Sequence, residues 1–268
     1  MKFRKMHGLG NDFVILDQKQ IKNGMLTNAQ IRHICDRHRG VGCDLLTVLE
    51  PSNNADIFAR FYNADSSESD ACGNATRCVA DIVMREQRSE ACTIETGGGV
   101  LACRRAENDM VTVDMGAPLT PPLPLGEGNE ASLPQEVIDA VGEGITVNMS
   151  NPHCVFFVDN VEDIPVEELG PKVENNPMFP NRTNVEFVQV LGEGKLRQRT
   201  WERGCGITLA CGSGACAVAV AGAHTGKTGR KVEIELDGGS IFIEWDEDDH
   251  VLMTGPYTYV FDGSLKNI

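Results

Sequence analysis

The sequence has no uncharged apolar run near the roughly 20 residues that a transmembrane helix needs. Its first residues, MKFRKMHGLG, lack the apolar core of a secretory signal peptide. Positive charge is also scarce, because 24 Lys and Arg stand against 39 Asp and Glu and give a formal net charge of −15. Such a charge disfavours nucleic acid and anionic membrane surfaces as partners. We therefore expect a cytoplasmic protein that acts on a small molecule.

The sequence also lacks C-x-x-C pairs, although it contains ten cysteines. In a cytoplasmic protein these are expected to be reduced thiols, and without zinc-like spacing we predict no metal site. Two glycine motifs are incomplete. The G-x-G at residues 8–10 lacks the third glycine of a dinucleotide fingerprint, and Ala221 stands where a phosphate-binding loop would need glycine. We predict no cofactor, although a lysine Schiff base with pyridoxal phosphate stays open.

The stretch 201–223, WERGCGITLACGSGACAVAVAGA, places Cys211 between a glycine-rich turn and an apolar segment. This pattern predicts a thiol at a helix N-terminus, where free N–H groups bind anions and the helix dipole favours a thiolate. An inert, buried cysteine is the alternative. The segment ACAVAVAGA is apolar on every face, which predicts a helix buried on all sides by a surrounding sheet.

The landmarks of the first half recur in the second half, in the same order and at an offset of 139 or 140 residues. The matching pairs are Asn11 with Asn151, Cys72 with Cys211, Ile94-Glu95 with Ile234-Glu235, and Gly116 with Gly255. A repeat of this length indicates two homologous domains, and the proline-rich residues 117–133 are typical of a linker between them.

We therefore predict an α+β fold with two homologous domains, residues 1–117 and 118–258, related by pseudo-two-fold symmetry. In each domain a β-sheet wraps around a central helix, and if the domains face each other across the pseudo-two-fold axis the active site lies in the interdomain cleft. The C-terminal tail, 259–268, either follows the second domain or returns to the first. Thr27 and Gln30 form a predicted capping box for a helix that runs to His38.

Two thiols on opposite sides of a cleft suit a two-base reaction at a stereocentre. One thiol, as thiolate, removes a proton from carbon, and the other returns a proton to the opposite face. A helix N-terminus is expected to lower the thiol pKa from about 8.5 towards neutrality. Backbone N–H groups at Gly73–Asn74 and Gly212–Ser213 would stabilise negative charge on a neighbouring carboxylate.

Four blocks, MHGLGNDF, NADSSESDACGNATRC, NPHCV and WERGCGITLACGSGACA, resemble the signature blocks of the diaminopimelate epimerase family. The resemblance extends from the first residues to about Gly263. It implies cofactor-independent interconversion of LL- and meso-diaminopimelate, a step towards lysine and a peptidoglycan precursor, by a homodimer. It also implies that the sheet around each central helix is mixed.

The resemblance also implies residue roles. Cys72 and Cys211 would be base and acid, exchanging roles with reaction direction. The amino and carboxylate groups of the substrate would be held by Asn11, Asn63, Asn151, Asn184 and Arg203. The reacting carboxylate would bind at Gly73, Asn74, Gly212 and Ser213. Glu202 would contact substrate, and together with His153 it would tune the thiols.

One position departs from the family pattern, which usually has glutamine after G-x-D. In this sequence Asp44 is followed by Leu45, which cannot form the glutamine's hydrogen bond. Either another group replaces the glutamine or the pocket is altered, so another amino acid stays open as substrate. The other cysteines are interpreted as small packing residues: Cys35, Cys43, Cys78, Cys92, Cys103, Cys154, Cys205 and Cys216.

Three alternatives stay open. A dithiol oxidoreductase would use Cys72 and Cys211 as a redox couple and would need a dithiol for turnover. A non-catalytic amino-acid-binding protein would bind its ligand without either thiol. A racemase of proline-like substrates would use the same thiol chemistry, but the charged pair Glu202–Arg203 suits a substrate with a second charged end.

Overall fold

The computed structural model describes residues 1–125 and 132–266, and the chain divides into two compact units. Unit 1 combines Met1–Val113 with the C-terminal segment that begins at Thr254, and unit 2 is Asp114–Met253. The sequence placed the domain boundaries after residues 117 and 258. Gly126 and Gly128 of the predicted linker lie outside the described residues.

The described residues contain five α-helices: α1 (Asn28–Cys35), α2 (Gly73–Gln87), α3 (Gln135–Val141), α4 (Val166–Glu174) and α5 (Gly212–His224). Short 3₁₀ turns occur at Gln18–Gln20, Lys22–Gly24 and Val161–Asp163. No helix in this part of the chain combines the length and the apolar character of a membrane span.

Eighteen strands are found in the same residues. They are β1 (Lys2–Gly8), β2 (Asn11–Asp17), β3 (Leu45–Glu50), β4 (Ile57–Asn63), β5 (Glu68–Ser69), β6 (Ala91–Thr96), β7 (Gly99–Ala106), β8 (Met110–Asp114), β9 (Leu123–Pro124), β10 (Ile145–Asn148), β11 (Pro152–Phe157), β12 (Asn184–Gly192), β13 (Lys195–Glu202), β14 (Gly206–Ile207), β15 (Lys231–Leu236), β16 (Gly239–Trp245), β17 (Val251–Pro256) and β18 (Thr258–Ser264).

The same sequence of strand pairings occurs in both units. In unit 1, β1 is antiparallel to β2, β2 parallel to β3, β3 antiparallel to β4, β4 parallel to β6, and β6 antiparallel to β7. In unit 2, β10, β11, β12, β13, β15 and β16 repeat these relations in that order. The α+β class, the mixed sheets and the internal duplication expected from the sequence are confirmed.

Each sheet packs around one buried helix. In unit 1, α2 contacts β1, β2, β4, β6 and β7, and its residues from Gly73 to Met84 are all buried. In unit 2, α5 contacts β10, β11, β12, β15 and β16, and it is buried from Gly214 to Gly222. The composition of α5 explains this, because Ala, Val and Gly let strands approach it from every side. The predicted central helices are confirmed.

The predicted capping box of α1 is also confirmed, with Thr27 and Gln30 bonded to each other's backbone N–H groups. The predicted end at His38 is wrong, because α1 ends at Cys35. The Asp36 carboxylate accepts the N–H groups of His38 and Arg39 at 2.8 and 2.9 Å, and this local turn replaces continued helix.

The C-terminal segment forms an unpredicted strand in unit 1. Strand β18 is antiparallel to β1, with Lys2 opposite Ser264 and His7 opposite Thr258. The Met1 ammonium group donates to the Leu265 carbonyl at 2.8 Å. Tyr259, Val260 and Phe261 favour a strand, but they show no alternation of polar and apolar residues that would mark one, and pairing with β1 fixes the conformation.

Candidate active site

The first candidate thiol begins the central helix of unit 1. Cys72 is the N-cap of α2, with extended backbone angles of φ −150° and ψ 101°, and its side chain is half-buried. Cys72 therefore stands at the helix end whose first N–H groups have no partner within the helix, and the dipole of a 15-residue helix favours negative charge there. This placement of Cys72 is as the sequence predicted.

Asn11 lies beside this thiol. Its Oδ1 is 3.8 Å from Cys72 Sγ and 3.3 Å from Asn74 Nδ2. Its Nδ2 donates to Asp44 Oδ2 at 2.9 Å. Because a carboxylate only accepts hydrogen bonds, Asp44 fixes the Asn11 amide with its carbonyl oxygen towards the thiol. The sequence did not identify this role of Asp44; its signal was the acidic residue of the G-x-D pattern, Gly42-Cys43-Asp44.

A charged cluster anchors the strand that carries Asn11. Asp12 accepts two hydrogen bonds from Arg37, at 3.1 and 2.7 Å, and one from Lys5 at 2.5 Å. Burial would raise the pKa of the Asp12 carboxyl, but the hydrogen bonds and charges of Arg37 and Lys5 outweigh it and lower the pKa to about 2. The Leu9–Gly10 turn connects β1 to β2. Both of its residues have positive φ, as a type I′ two-residue hairpin turn requires.

Asn63 lies at the end of β4, opposite Leu45 of β3 in the sheet. Its Nδ2 donates to Ser67 Oγ at 2.9 Å within the turn towards β5. Residues that are directly opposite in antiparallel strands point to the same face of a sheet. Asn63 therefore presents an amide on the face to which Leu45 contributes an apolar side chain.

The second candidate thiol begins the central helix of unit 2. Cys211 is the N-cap of α5, with φ −117° and ψ 108°, and it is buried. Its Sγ lies 3.7 Å from Ser213 Oγ. Burial raises the pKa of the Cys211 thiol well above its ordinary value, and the Glu202 and Glu186 carboxylates raise it further. The expected pKa near neutrality is therefore wrong for Cys211, since the Gly214 N–H and Ser213 hydroxyl only partly oppose these effects.

Glu202 contacts this thiol, while its neighbour Arg203 is exposed. Burial raises the pKa of the Glu202 carboxyl, and hydrogen bonds from Thr208 and Cys211 partly offset that effect. The Thr208 hydroxyl donates to Glu202 Oε1 at 2.5 Å. Arg203 Nη1 donates to the Asn181 carbonyl at 3.1 Å. Glu202 thus bonds to groups beside the thiol and Arg203 to a backbone carbonyl, and the two side chains do not form an ion pair with each other.

The Asn184 side chain bonds to backbone groups of two neighbouring segments. Its Nδ2 donates to the Pro152 carbonyl at 3.0 Å, and its Oδ1 accepts the Arg203 N–H at 3.0 Å. The side chain is buried and ties the start of β11 to the turn after β13.

Asn151 and His153 are joined to a buried carboxyl group. His153 Nε2 lies 2.9 Å from Asn151 Oδ1, and His153 Nδ1 lies 2.7 Å from Glu186 Oε1. Asn151 Nδ2 lies 3.2 Å from Ser213 Oγ. The sequence missed Glu186, whose signal was a charged residue inside the apolar run of β12.

The remaining cysteines are buried with one exception. Their interpretation as packing residues is confirmed for Cys35, Cys43, Cys78, Cys92, Cys103, Cys154 and Cys216, but Cys205 is exposed. The interpretation of Cys205 is wrong because this residue lies in the exposed turn between β13 and β14, directly after Gly204 with its positive φ of 77°. Among residues 1–125 and 132–266, no group of three or more His, Cys, Asp or Glu is arranged to hold a metal ion.

The two-unit fold places the chain in a structural class with known members. A Bacillus anthracis phenazine biosynthesis protein of the PhzF family superimposes with a TM-score of 0.74 at 17% identity, covering 100% of this chain and 99% of that one. At this identity the similarity defines the fold class: two-unit α+β proteins with repeated mixed sheets.

The sequence comparisons define the family within that class. The family profile described as diaminopimelate epimerase matches residues 3–120 and 145–260. The diaminopimelate epimerase of Rhodospirillum centenum is 48% identical over 99% of this chain and 92% of its own length. That of Leptospira biflexa is 44% identical over 99% of both. The chain belongs to the diaminopimelate epimerase family, and it is an isomerase.

Proposed function

We propose that this protein interconverts LL- and meso-diaminopimelate by proton transfer to and from one α-carbon, with Cys72 and Cys211 as the two bases. The observation that carries the proposal is the repeated placement of a thiol at the N-cap of the buried helix, once in each sheet. A two-base epimerisation needs such a pair, with the thiols acting on opposite faces of the carbon. The product would serve lysine and peptidoglycan precursor synthesis.

The surroundings of the two thiols support different resting states. Cys211 rests as the thiol, because burial and the carboxylates of Glu202 and Glu186 oppose its ionisation. Cys72 is the more exposed thiol, so water solvates its thiolate better than that of the buried Cys211. In the first step Cys72 therefore takes the proton and Cys211 gives one, and the roles reverse for the opposite reaction.

The substrate contacts follow from the family blocks and from the groups beside each thiol. The N–H groups of Gly73, Asn74, Gly212 and Ser213 would hold the reacting carboxylate. Asn11, Asn63, Asn151, Asn184 and Arg203 would hold the remaining amino and carboxylate groups. Glu202, which contacts both Cys211 and Thr208, would serve the same end of the substrate and limit ionisation of the thiol.

The experiment is epimerisation of LL-diaminopimelate in heavy water by the fully reduced protein. We expect deuterium at one α-carbon of the meso product, detected by proton NMR and mass spectrometry. Cys72→Ala and Cys211→Ala should each lower kcat/KM by about 10³-fold or more. Full activity in either variant contradicts the two-base scheme, and absence of exchange in the wild-type protein contradicts the proposed reaction.

Substrate identity needs its own test because of Leu45. An amide is still present on the same sheet face at Asn63, so we propose that diaminopimelate remains the substrate. Deuterium incorporation should be measured beside proline and simple α-amino acids. Faster exchange into one of these would assign the protein to another amino acid. A requirement for added dithiol in each turnover would instead indicate an oxidoreductase.

We also propose a cytoplasmic homodimer. A reaction that needs two free thiols suits a reducing compartment. Strand β18 pairs with β1 along one edge, and it exposes Tyr259, Val260 and Phe261, which suit contact with a second copy. Sedimentation should give twice the chain mass, and Val260→Asp should shift it towards the monomer. Val100→Asp, at an equally exposed valine on β7, is the matched control.

A further inference from the structure

The last residue of α4 is a buried carboxylate that the proposed reaction does not use. Glu174 Oε1 accepts the Gly204 N–H at 2.8 Å and Arg182 Nη1 at 3.0 Å. Its Oε2 accepts Trp201 Nε1 at 2.7 Å, and the side chain is only 5% exposed. Burial and the helix dipole, which is negative at this end, both disfavour a carboxylate here. The three hydrogen bonds compensate for this position, so they constrain the groups that donate them.

The turn that follows β13 carries Arg203 and Gly204. Asn184 Oδ1 accepts the Arg203 N–H at 3.0 Å, and Glu174 Oε1 accepts the Gly204 N–H at 2.8 Å. Gly204 has a φ of 77°, a left-handed conformation that glycine adopts without a steric penalty. Two consecutive N–H groups of the turn are thus bonded to side chains of other segments. These bonds set the direction in which the Arg203 side chain leaves the backbone.

The guanidinium of Arg203 is connected to the same carboxylate by a second route. Arg203 Nη1 donates to the Asn181 carbonyl at 3.1 Å. The next residue, Arg182, donates to Glu174. The carboxylate therefore constrains Arg203 at both ends, through Gly204 at the backbone and through Arg182 at the guanidinium. Because a guanidinium has five N–H donors, the bond to Asn181 leaves donors that suit a substrate carboxylate.

Glu202, one residue earlier, is held by other groups. It lies opposite Gly206 in the antiparallel pair of β13 and β14, and its Oε1 accepts the Thr208 hydroxyl at 2.5 Å. These contacts, and its contact with Cys211, involve no atom of Glu174. Loss of the Glu174 contacts is therefore expected to free the arginine that follows, while Glu202 stays beside the thiol.

A similar connection occurs in unit 1. Arg32, on the helix between β2 and β3, donates from Nη1 to Ser66 Oγ at 2.8 Å and to the Asp65 carbonyl at 3.3 Å. Ser66 has a φ of 76° and lies in the turn between β4 and β5, which correspond to β13 and β14 of unit 2. That turn follows Asn63, another candidate substrate residue. In each unit a charged side chain of a helix thus holds the turn beside such a residue, and the recurrence favours a role in positioning.

We propose that Glu174 is a positioning residue that holds Arg203 in the geometry needed to bind the second, non-reacting carboxylate of a substrate that has two. The proposal rests on the proposed function, in which Arg203 holds a substrate group. Glu174 acts on the substrate only through Arg203. It therefore contributes to affinity and to the preference for a diacid, and not to proton transfer.

The test is steady-state kinetics with LL-diaminopimelate for the wild-type protein and two variants. Glu174→Met has a similar length but no oxygen acceptor, so KM should rise by about 10-fold while kcat changes by less than about 3-fold. Glu174→Gln lacks the charge but keeps one oxygen for the Gly204 and Arg182 donors, so its KM should stay within about 3-fold of the wild-type value.

A carboxylate that acts only through its charge predicts the opposite sign, because its removal favours binding of an anionic group. An unchanged or lower KM in Glu174→Met overturns the proposal. Equal rises in KM in the two variants also overturn it, since only one of them has lost the acceptor. A fall in kcat without a change in KM shows a general structural role and overturns it as well.

Two further variants identify the route. Arg203→Gln alone should raise KM, and Glu174→Met should add no more than about 2-fold in that background. Additive effects contradict the proposal. Trp201→Phe is the matched control, because it removes the donor to Oε2 and leaves the contacts of Oε1 in place. It should lower the free energy of unfolding with KM unchanged. A KM as high as that of Glu174→Met would assign the effect to packing and overturn the proposal.

Arg182→Met tests the proposal even where Glu174→Met does not fold, since the Arg182 side chain is 53% exposed. It releases the segment that holds the guanidinium, so KM should rise by about 3-fold with kcat unchanged. An unchanged KM overturns the proposal.

Amide hydrogen exchange of the turn needs no substrate. The Gly204 N–H should exchange with solvent at least about 10-fold faster in Glu174→Met than in the wild-type protein, and equal rates overturn the proposal. The proposed reaction is decided separately, by deuterium incorporation into diaminopimelate with the wild-type protein. Failure of the positioning role is therefore distinguishable from failure of the reaction.

Discussion

Asn11 Oδ1 lies 3.8 Å from Cys72 Sγ, although 61 residues separate them in the chain. The amide cannot turn over freely, because Asp44 Oδ2 accepts its NH₂ group at 2.9 Å. In unit 2 the corresponding asparagine, Asn151, faces a histidine ring instead of a carboxylate. The two helices therefore begin with equivalent thiols, but the asparagine on the Cys72 side is held by a carboxylate and the one on the Cys211 side by a histidine.

The Asp44–Asn11 contact gives the first prediction. Asp44→Asn replaces a carboxylate that only accepts with an amide that can also donate, so the Asn11 amide is no longer held in one orientation, and we expect kcat to fall by about 10-fold or more through misorientation beside Cys72. Steady-state kinetics with LL-diaminopimelate measures the change. Asp36→Asn, which alters only the turn after α1, should retain wild-type kcat. Equal losses in the two variants would argue against a specific role for Asp44.

The cysteines should also differ in labelling order. Cys205 is exposed and Cys72 is half-buried, whereas Cys211 is buried and its thiol pKa is raised by burial and two carboxylates. At pH 7 we expect iodoacetamide to modify Cys205 and Cys72 well before Cys211, because the thiolate is the reactive form. Peptide mapping over time measures the order. Early modification of Cys211 would show that its carboxylate surroundings do not control its ionisation.

The ionisation of Asp12 makes the free energy of unfolding depend on pH. Its pKa is lowered from 3.8 to about 2 by Arg37 and Lys5, which outweigh burial, so the folded state favours the ionised carboxyl. The contribution, about 2 kcal/mol, is present above pH 4 and is lost as the pH falls through about 2. Urea unfolding of the wild-type protein and Asp12→Asn should therefore differ most above pH 4. A difference that stays constant down to pH 2 would contradict this account.

Helix α4 is packed too closely against Trp201 to accept a side chain at Gly170. An added Cβ would lie 2.4 Å from the indole Cγ, and the indole is held by its Nε1 hydrogen bond to Glu174 at 2.7 Å. Gly170→Ala should lower the free energy of unfolding by about 1–3 kcal/mol, despite the higher helix propensity of alanine. Gly229→Ala, with no atom within 4 Å of its Cβ, should leave stability unchanged or slightly higher. Denaturant unfolding of both variants measures the contrast.

Much of the fold was predictable because the second half of the sequence repeats the landmark residues of the first half. The offset between Cys72 and Cys211 predicted the duplicated sheets, and the all-apolar run after Cys211 predicted a helix enclosed on every side. Strand β18 was not predictable in this way, since its residues carry no clear alternation and its pairing with β1 joins distant parts of the chain.

The site was predictable at its thiols and less so in its supporting contacts. Capping position follows from local sequence, whereas the contact of Glu186 with His153 spans 33 residues and forms only when β11 and β12 pair. The raised pKa of Cys211 has the same origin. Helix position alone suggested a lower value, but the burial and the carboxylates that decide it come from tertiary structure.

Unit 1 is assembled from two segments separated by the whole of unit 2, and this sets an order of events during synthesis. Unit 2 is continuous, so all of its strands leave the ribosome before β18 does. Strand β1, made first, meets β18 only at the end, and until then its outer edge offers unpaired N–H and C=O groups. The thiol made first, Cys72, thus belongs to the unit completed last, and the outer edge of β1 stays open to mispairing until β18 has been made.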